Sequence, residues 1–237
     1  MLKLVYFPSQ AATGLIDYSS YIGRPITGVI LYNYAGVDPV TGRYQFINAQ
    51  GVKGSFRPFL DPIPLGFNDH TQFLDLAPKY YGGWQNSLRY KRFTMDLLFT
   101  FVNRVGLTFQ GRQVSVPGLF DINASTTALG RWRKSGDRAE VAAASEGINA
   151  LANQFNFTSS TGAYGKAGYA RLANLNIGYS FTGAVLERSH ISSMRVYLAG
   201  QNLLTITAYK DLDPENLGTY GYMGPLRVLT GGINLTF

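Results

Sequence analysis

Three carboxylates at alternate positions, Asp211, Asp213 and Glu215 in KDLDPEN, are the first residues whose types and spacing suggest chemistry. Oxygen donors two apart suit a calcium ion, but an EF-hand loop also needs a glycine and a distal glutamate at fixed positions. Both are missing, and a solvated turn is the expectation. Trp132 stands among Arg131, Arg133, Lys134 and Arg138, a grouping able to meet a phosphate or stack on a sugar ring. A loop with one anchoring indole is the simpler reading. His70 and His190 lie far apart, and no serine or carboxylate falls into a catalytic frame with either. Cysteine is absent, which removes disulfides, thiolate metal sites and thiol nucleophiles together. The sequons at Asn123, Asn156 and Asn234 are chance matches if the source is bacterial. No enzyme is expected, and no residue calls for a cofactor or metal.

The elements that carry these residues are written in composition and period. Among 237 residues, charged side chains make up 15% and aromatics 14%, with 27 glycines and 16 tyrosines. Soluble domains carry about 25% charge. No run of 18 apolar residues occurs, so no transmembrane helix is expected. The net charge of +7 is scattered rather than gathered on one element, which argues against nucleic-acid binding. The same composition suits a barrel showing lipid one face of each strand, or a soluble β-sandwich. Strand phase decides between them.

The final segment, LRVLTGGINLTF, alternates with period two. Leu229, Ile233, Leu235 and Phe237 share one face with Gly231, while Thr230, Gly232, Asn234 and Thr236 share the other. An aromatic C-terminus in phase with apolar Ile233 and Leu235 resembles the signal read by bacterial barrel-assembly machinery. In GYARLANLNIGYSF, Tyr169, Leu175, Ile177, Tyr179 and Phe181 read as one face and Asn174, Asn176, Gly178 and Ser180 as the other. Phe93, Met95, Leu97, Phe99 and Phe101 alternate with Thr94, Asp96, Leu98 and Thr100. Before them Tyr80, Trp84, Leu88 and Tyr90 alternate with Gln85, Ser87 and Arg89. A strand of about ten residues, tilted by about 40°, covers roughly 25 Å, the height of a lipid-facing band. The expected lipid-facing residues are therefore Phe93, Met95, Leu97, Phe99, Leu175, Ile177 and Tyr179, and the expected lumen-facing ones Gln85, Arg89, Asn174 and Asn176. In Met194 to Ala208 the apolar phase is Val196, Leu198, Leu204 and Ile206, with Tyr197 and Leu203 out of phase; a bulge or a partly packed lumen accounts for either.

Connections alternate in length as transmembrane barrels require. With Phe237 periplasmic, 209–225, 107–166 and 50–77 become extracellular loops, Lys91–Arg92 a tight periplasmic turn, and 182–193 a middling one. Tyr90, Phe93, Tyr179, Phe181 and Phe237 gather at one rim, and Tyr80, Tyr169 and Tyr209 at the other, as in aromatic girdles. Within the longest loop, Asp137 to Phe155 is alanine-rich, and Asp137 with Glu140 resembles a helix N-cap pair, so a short helix is expected there. Upstream, 25–35 and 43–48 are expected to form a further hairpin around GVDPVTG. That totals about seven strands, too few and of the wrong parity to close a bacterial barrel. Met1 to Tyr21 lacks the apolar core of a secretory signal, which points to an N-terminus further upstream.

Taken together, IGRPITGVILYNYAGVDPVTG, APKYYGGWQNSLRYKRFTMDLLFTF, RWRKSGD, GYARLANLNIGYSF, SSMRVYLAGQNLLTITAYKDLDPE and the closing strand resemble the C-terminal part of the SusC/RagA family of TonB-dependent outer-membrane transporters. The resemblance implies an all-β, antiparallel transmembrane barrel of 22 strands, of which residues 1–237 supply the C-terminal portion of one barrel domain. It implies a plug domain, absent from this chain, energy from TonB through a motif also absent, and a SusD-like surface lipoprotein that captures oligosaccharides or peptides. A small independent outer-membrane barrel or adhesin, and a soluble carbohydrate-binding sandwich, are the alternatives.

Overall fold

The structure, a computed structural model, describes residue 3 and residues 22–56, 65–112, 117, 126–145, 147–183, 186, 190–209, 213–217 and 224–237. Most of the Met1–Tyr21 segment, Asp211 and the sequon at Asn123 lie outside these. The chain divides into two compact units, one from 1–77 and 106–165, the other from 78–105 and 166–237.

The first unit is a small globular fold. Strand β1 (Gly28–Leu31) pairs antiparallel with β5 (Gln72–Asp75), while β2 (Asn33–Val37), β3 (Tyr44–Ile47) and β4 (Lys53–Gly54) form an antiparallel sheet. The short helix α1 (Phe109–Arg112) and the longer α2 (Ile148–Thr158) complete it. The expected hairpin around GVDPVTG exists as β2–β3, but it belongs here and not to a barrel wall. Its turn is held by Asp38, which accepts hydrogen bonds from the Val40 amide at 2.9 Å and the Thr41 hydroxyl at 2.7 Å. A core of Tyr32, Tyr44, Phe46, Phe56, Ala142 and Phe157 forms underneath, with Tyr44 and Phe157 stacked at 4.3 Å. Burial raises the Tyr44 hydroxyl above its usual range. Asn153 of α2 completes the sheet from within: its Oδ1 accepts from the Tyr44 amide at 2.9 Å, and its Nδ2 donates to the Tyr44 carbonyl at 3.0 Å.

That helix begins later than the sequence suggests. Asp137 is spent on a local turn, accepting from the amides of Arg133 and Lys134, and α2 starts after Gly147 without any side-chain cap. Trp132 is the anchor its setting implied. Its indole donates to the Pro39 carbonyl at 2.9 Å and lies over Gly42, where a Cβ would come within 2.5 Å of the ring.

The second unit is built around one sheet. Strands β6 (Tyr80–Tyr90) and β7 (Phe93–Asn103) form a hairpin, and β10 (Tyr169–Phe181), β11 (Ser193–Thr207) and β12 (Val228–Thr236) follow; the short β8 (Val105–Leu107) and β9 (Tyr164–Lys166), a separate pair, lie mostly in the first unit. The five long strands pair antiparallel in the order β12-β11-β10-β7-β6. The β6–β7 turn is two residues long, Lys91 and Arg92, with Lys91 at a φ of +53°.

One irregularity crosses three strands. Pairing steps from Leu98 to Phe99 on β7, from Asn174 to Leu172 on β10, and from Gln201 to Leu204 on β11. Bulges absorb the excess around Ala173 and Asn202, the latter at a φ of +53°. The β10 bulge changes which residues share a face. Leu172 and Ala170, paired with Phe99 and Phe101, join Leu175 and Ile177, whereas Tyr169 moves to the face of Asn174. This corrects the sequence expectation, which carried the regular period through Ala173. On β11 the bulge returns the out-of-phase Leu203 to the apolar side: its side chain reaches to 2.6 Å from where a Cβ on Gly200 would stand. Tyr197 stays on the polar face, with its ring over the cross-strand Gly232.

Candidate functional site

The register sorts the sheet into an apolar and a polar face. Phe93, Met95, Leu97, Phe99, Leu175, Ile177 and Tyr179 share the first, with Val196, Ile233 and Leu235 brought alongside by β11 and β12. Phe237 follows β12 and is 81% exposed. Much of this face is open: Trp84, Leu88, Leu198, Ile206 and Ile233 are all exposed. Among the described residues of this unit no second sheet packs on it. A soluble sandwich would need one. An open apolar band of this width calls for a nonaqueous surrounding or a partner.

The polar face has three levels. At mid-height Gln85, Asn174 and Asn176 come together with Asp96, Leu98 and Gln201 around a shallow depression. The Asn176 Oδ1 is buried there without a hydrogen-bond partner. Toward the Lys91–Arg92 turn, Arg89 stands directly across from Thr94, and Arg195 Nη2 donates to Thr94 Oγ1 at 3.4 Å. The Arg195 guanidinium lies on Gly178, the one residue there that leaves it room.

Toward the opposite end, the carboxylates of the DPE segment are not a solvated turn. Arg171 Nη2 donates to Asp213 Oδ2 and its Nη1 to Glu215 Oε2, both at 2.6 Å, while its Nε donates to Thr205 Oγ1 at 3.1 Å. The Arg171 side chain is 3% exposed and Asp213 11%, so that pair is desolvated, whereas Glu215, 53% exposed, meets the guanidinium from the solvent side. The Tyr169 ring lies 5.0 Å away. Arg104 Nη2 donates to the carbonyls of Pro214 and Glu215. Sequence reasoning named Asp213 and Glu215 but missed both arginines. The alternation placed Arg171 with the apolar residues, and only the bulge turns it to the polar face.

The arrangement offers hydrogen-bonding wall rather than reaction chemistry. His70 stacks on Tyr32 at 3.7 Å, and His190 occupies a turn at a φ of +54°. Among the described residues no three metal-binding side chains converge, and no helix is long and apolar enough to cross a membrane.

No protein family profile matches the chain. A curated relative, TonB-dependent receptor P3 of Formosa agariphila, is 28% identical over 177 residues, covering 69% of this chain and 17% of the relative. Among solved structures, the RagAB peptide transporter superposes with a TM-score of 0.67 at 22% identity, over 94% of this chain and 24% of that one. The RagAB peptide importer in its open-open and closed-closed states gives TM-scores of 0.65 and 0.64, each at 22% identity over 92% of this chain. This chain thus spans about a sixth of the curated relative and about a quarter of the solved chains. In sequence and fold it resembles the C-terminal part of a SusC/RagA-type transporter, an antiparallel portion of a large transmembrane barrel.

Proposed function

We propose that this chain is barrel wall from an outer-membrane nutrient importer, working with a TonB-type energy source and a surface lipoprotein of the SusD type. The observation that carries the reading is the division of one sheet into an open apolar face and a hydrogen-bonding polar face. The apolar face is lipid-facing, and Phe93, Met95, Leu97, Phe99, Leu175, Ile177 and Tyr179 are its mid-wall contacts. Gln85, Arg89, Asn174 and Asn176 face the lumen, where amide and guanidinium groups exchange hydrogen bonds with a passing solute at little cost. Ile233, Leu235 and Phe237 present the C-terminal strand to the assembly machinery, with the C-terminus on the periplasmic side. A peptide cargo has support from the likeness to the RagAB peptide transporter, and oligosaccharides share the same hydrogen-bonding demands.

The test is uptake. Cells making the full-length protein, and cells lacking it, are given radiolabelled casein peptides and labelled dextran oligosaccharides, with and without a protonophore. Energy-dependent accumulation of one class only in cells holding the protein is expected. Equal accumulation in both strains, with the protein verified in the outer membrane, refutes import.

A further inference from the structure

The two arginines at the loop end of the polar face do more than neutralise charge. Beyond β11, Asp213 and Glu215 reach Arg171, a residue of β10 itself, and the Thr205 hydroxyl of β11 holds the same guanidinium from the side. Arg104, just past β7, grips the backbone of the same segment at Pro214 and Glu215. The returning leg passes at contact distance, since a Cβ on Gly224 would come within 2.9 Å of Asp213 Cβ. Its far foot is tied as well, the Asn202 amide donating to the Leu226 carbonyl at 3.2 Å. The segment Asp213–Leu217 is thus held directly by Arg171 of β10 and by Arg104 just past β7, with Thr205 of β11 steadying the Arg171 guanidinium. The Arg171–Asp213 pair, 3% and 11% exposed, holds position far better than exposed ion pairs do, and the half-exposed Glu215 adds a second, weaker arm to the same fork.

We propose that Asp213–Leu217 is a strap across the polar face, that Arg171 is the residue positioning it, and that the strap sets the narrow point of the solute path at this end. The last clause rests on the importer reading; the fastening does not. Lysine cannot replace Arg171, because one ammonium cannot reach two carboxylates and a hydroxyl in fixed fork geometry.

The full-length protein, its native cysteines replaced if it has any, carries a nitroxide label at Leu217 and is measured in outer-membrane vesicles by EPR. The immobile spectral component is expected to dominate with Arg171 present. It should become the minor one in Arg171→Met and in the Asp213→Asn/Glu215→Gln pair, with Arg171→Lys in between. The pair leaves Arg171 in place and serves if Arg171→Met does not assemble. An unchanged line shape in assembled variants overturns the strap. The same variants are then given peptides and oligosaccharides of increasing length. A several-fold relative gain for the longer solutes is expected. A freed label with no change in length preference overturns the narrow-point role. If the unaltered protein imports none of the probes, that role falls with the importer reading, while the label still decides the fastening.

Discussion

The two units of this chain use aromatic residues in opposite ways. Around Tyr44 the rings are hidden: Phe46 is fully buried, Phe157 nearly so, and Asn153 spends its whole amide on backbone groups that would otherwise be stranded. In the five-stranded sheet the rings and aliphatics stand outward, with Leu198 53% and Ile233 63% exposed. Apolar content alone therefore says little about solvent. What separates the units is whether apolar positions converge on one another or line up along one face at period two. The first arrangement makes its own interior; the second borrows one from outside.

The largest effects should come from testing that contrast. Phe46→Ala opens a cavity in the first unit and is expected to cost about 3–5 kcal/mol in thermal unfolding, while Leu198→Ala, measured in the same detergent, changes stability little. Similar losses would mean that Leu198 has a protein neighbour after all. Next, Leu198→Arg is expected to cost about 2–4 kcal/mol in urea titrations in liposomes, as for a lipid-exposed mid-wall position. Leu129→Arg is the control, at a 67%-exposed leucine of the first unit, and should be near neutral. If the two behave alike, the sheet's apolar face does not meet lipid. Asn153→Ala strands the Tyr44 amide and carbonyl and should lower stability by about 1–3 kcal/mol. An unchanged melting temperature would place the strength of this unit elsewhere.

Smaller effects sharpen the picture at the turns. Lys91 holds a φ of +53°, which costs an L-residue about 1 kcal/mol. Lys91→Gly should recover about that much in the hairpin without moving the strands, readable as a shift in the urea midpoint. Asp38 gives the smallest effect. The Thr41 hydroxyl and Val40 amide hold its carboxyl below the ordinary value of 3.8. A depressed carboxylate contributes stability above its unfolded value and loses it as pH falls through the folded one. Asp38→Asn should therefore weaken the first unit slightly at neutral pH, with the difference from the parent fading as pH falls below the ordinary carboxylate value and through the lowered folded one. A loss that persists in acid would assign the effect to shape rather than charge.

The sheet was legible in the sequence because its signal is local. Alternation over Phe93 to Phe101 anticipates β7 at Phe93–Asn103, and GYARLANLNIGYSF anticipates β10 at Tyr169–Phe181. Gln85, Asn174 and Asn176 were placed on one face by the same count, and register puts them around one depression. The first unit was not legible as a unit. It reads as a hairpin and two long loops, because its cohesion comes from pairs such as Asn153 with Tyr44, 109 positions apart. The start of α2 was misread for a related reason: Asp137 caps whichever amides geometry brings near, and here those are Arg133 and Lys134. Arg171 was hidden by one extra residue. Its partners Asp213 and Glu215 lie 42 and 44 positions on, too far for any local rule to join them.

That extra residue reaches beyond Arg171. Between the same two rungs of the ladder β7 advances one residue, β10 two and β11 three. At about 3.3 Å per residue, the contour lengths at that level run from about 3 to about 10 Å. Parallel rails of unequal length cannot stay straight, so the wall must bow there. Ala173 acts as a parity change: in the lower part of β10 even-numbered residues face the polar side, and in the upper part odd-numbered ones do. Any cysteine scan or chimeric junction laid out by counting would exchange inside for outside at this one step.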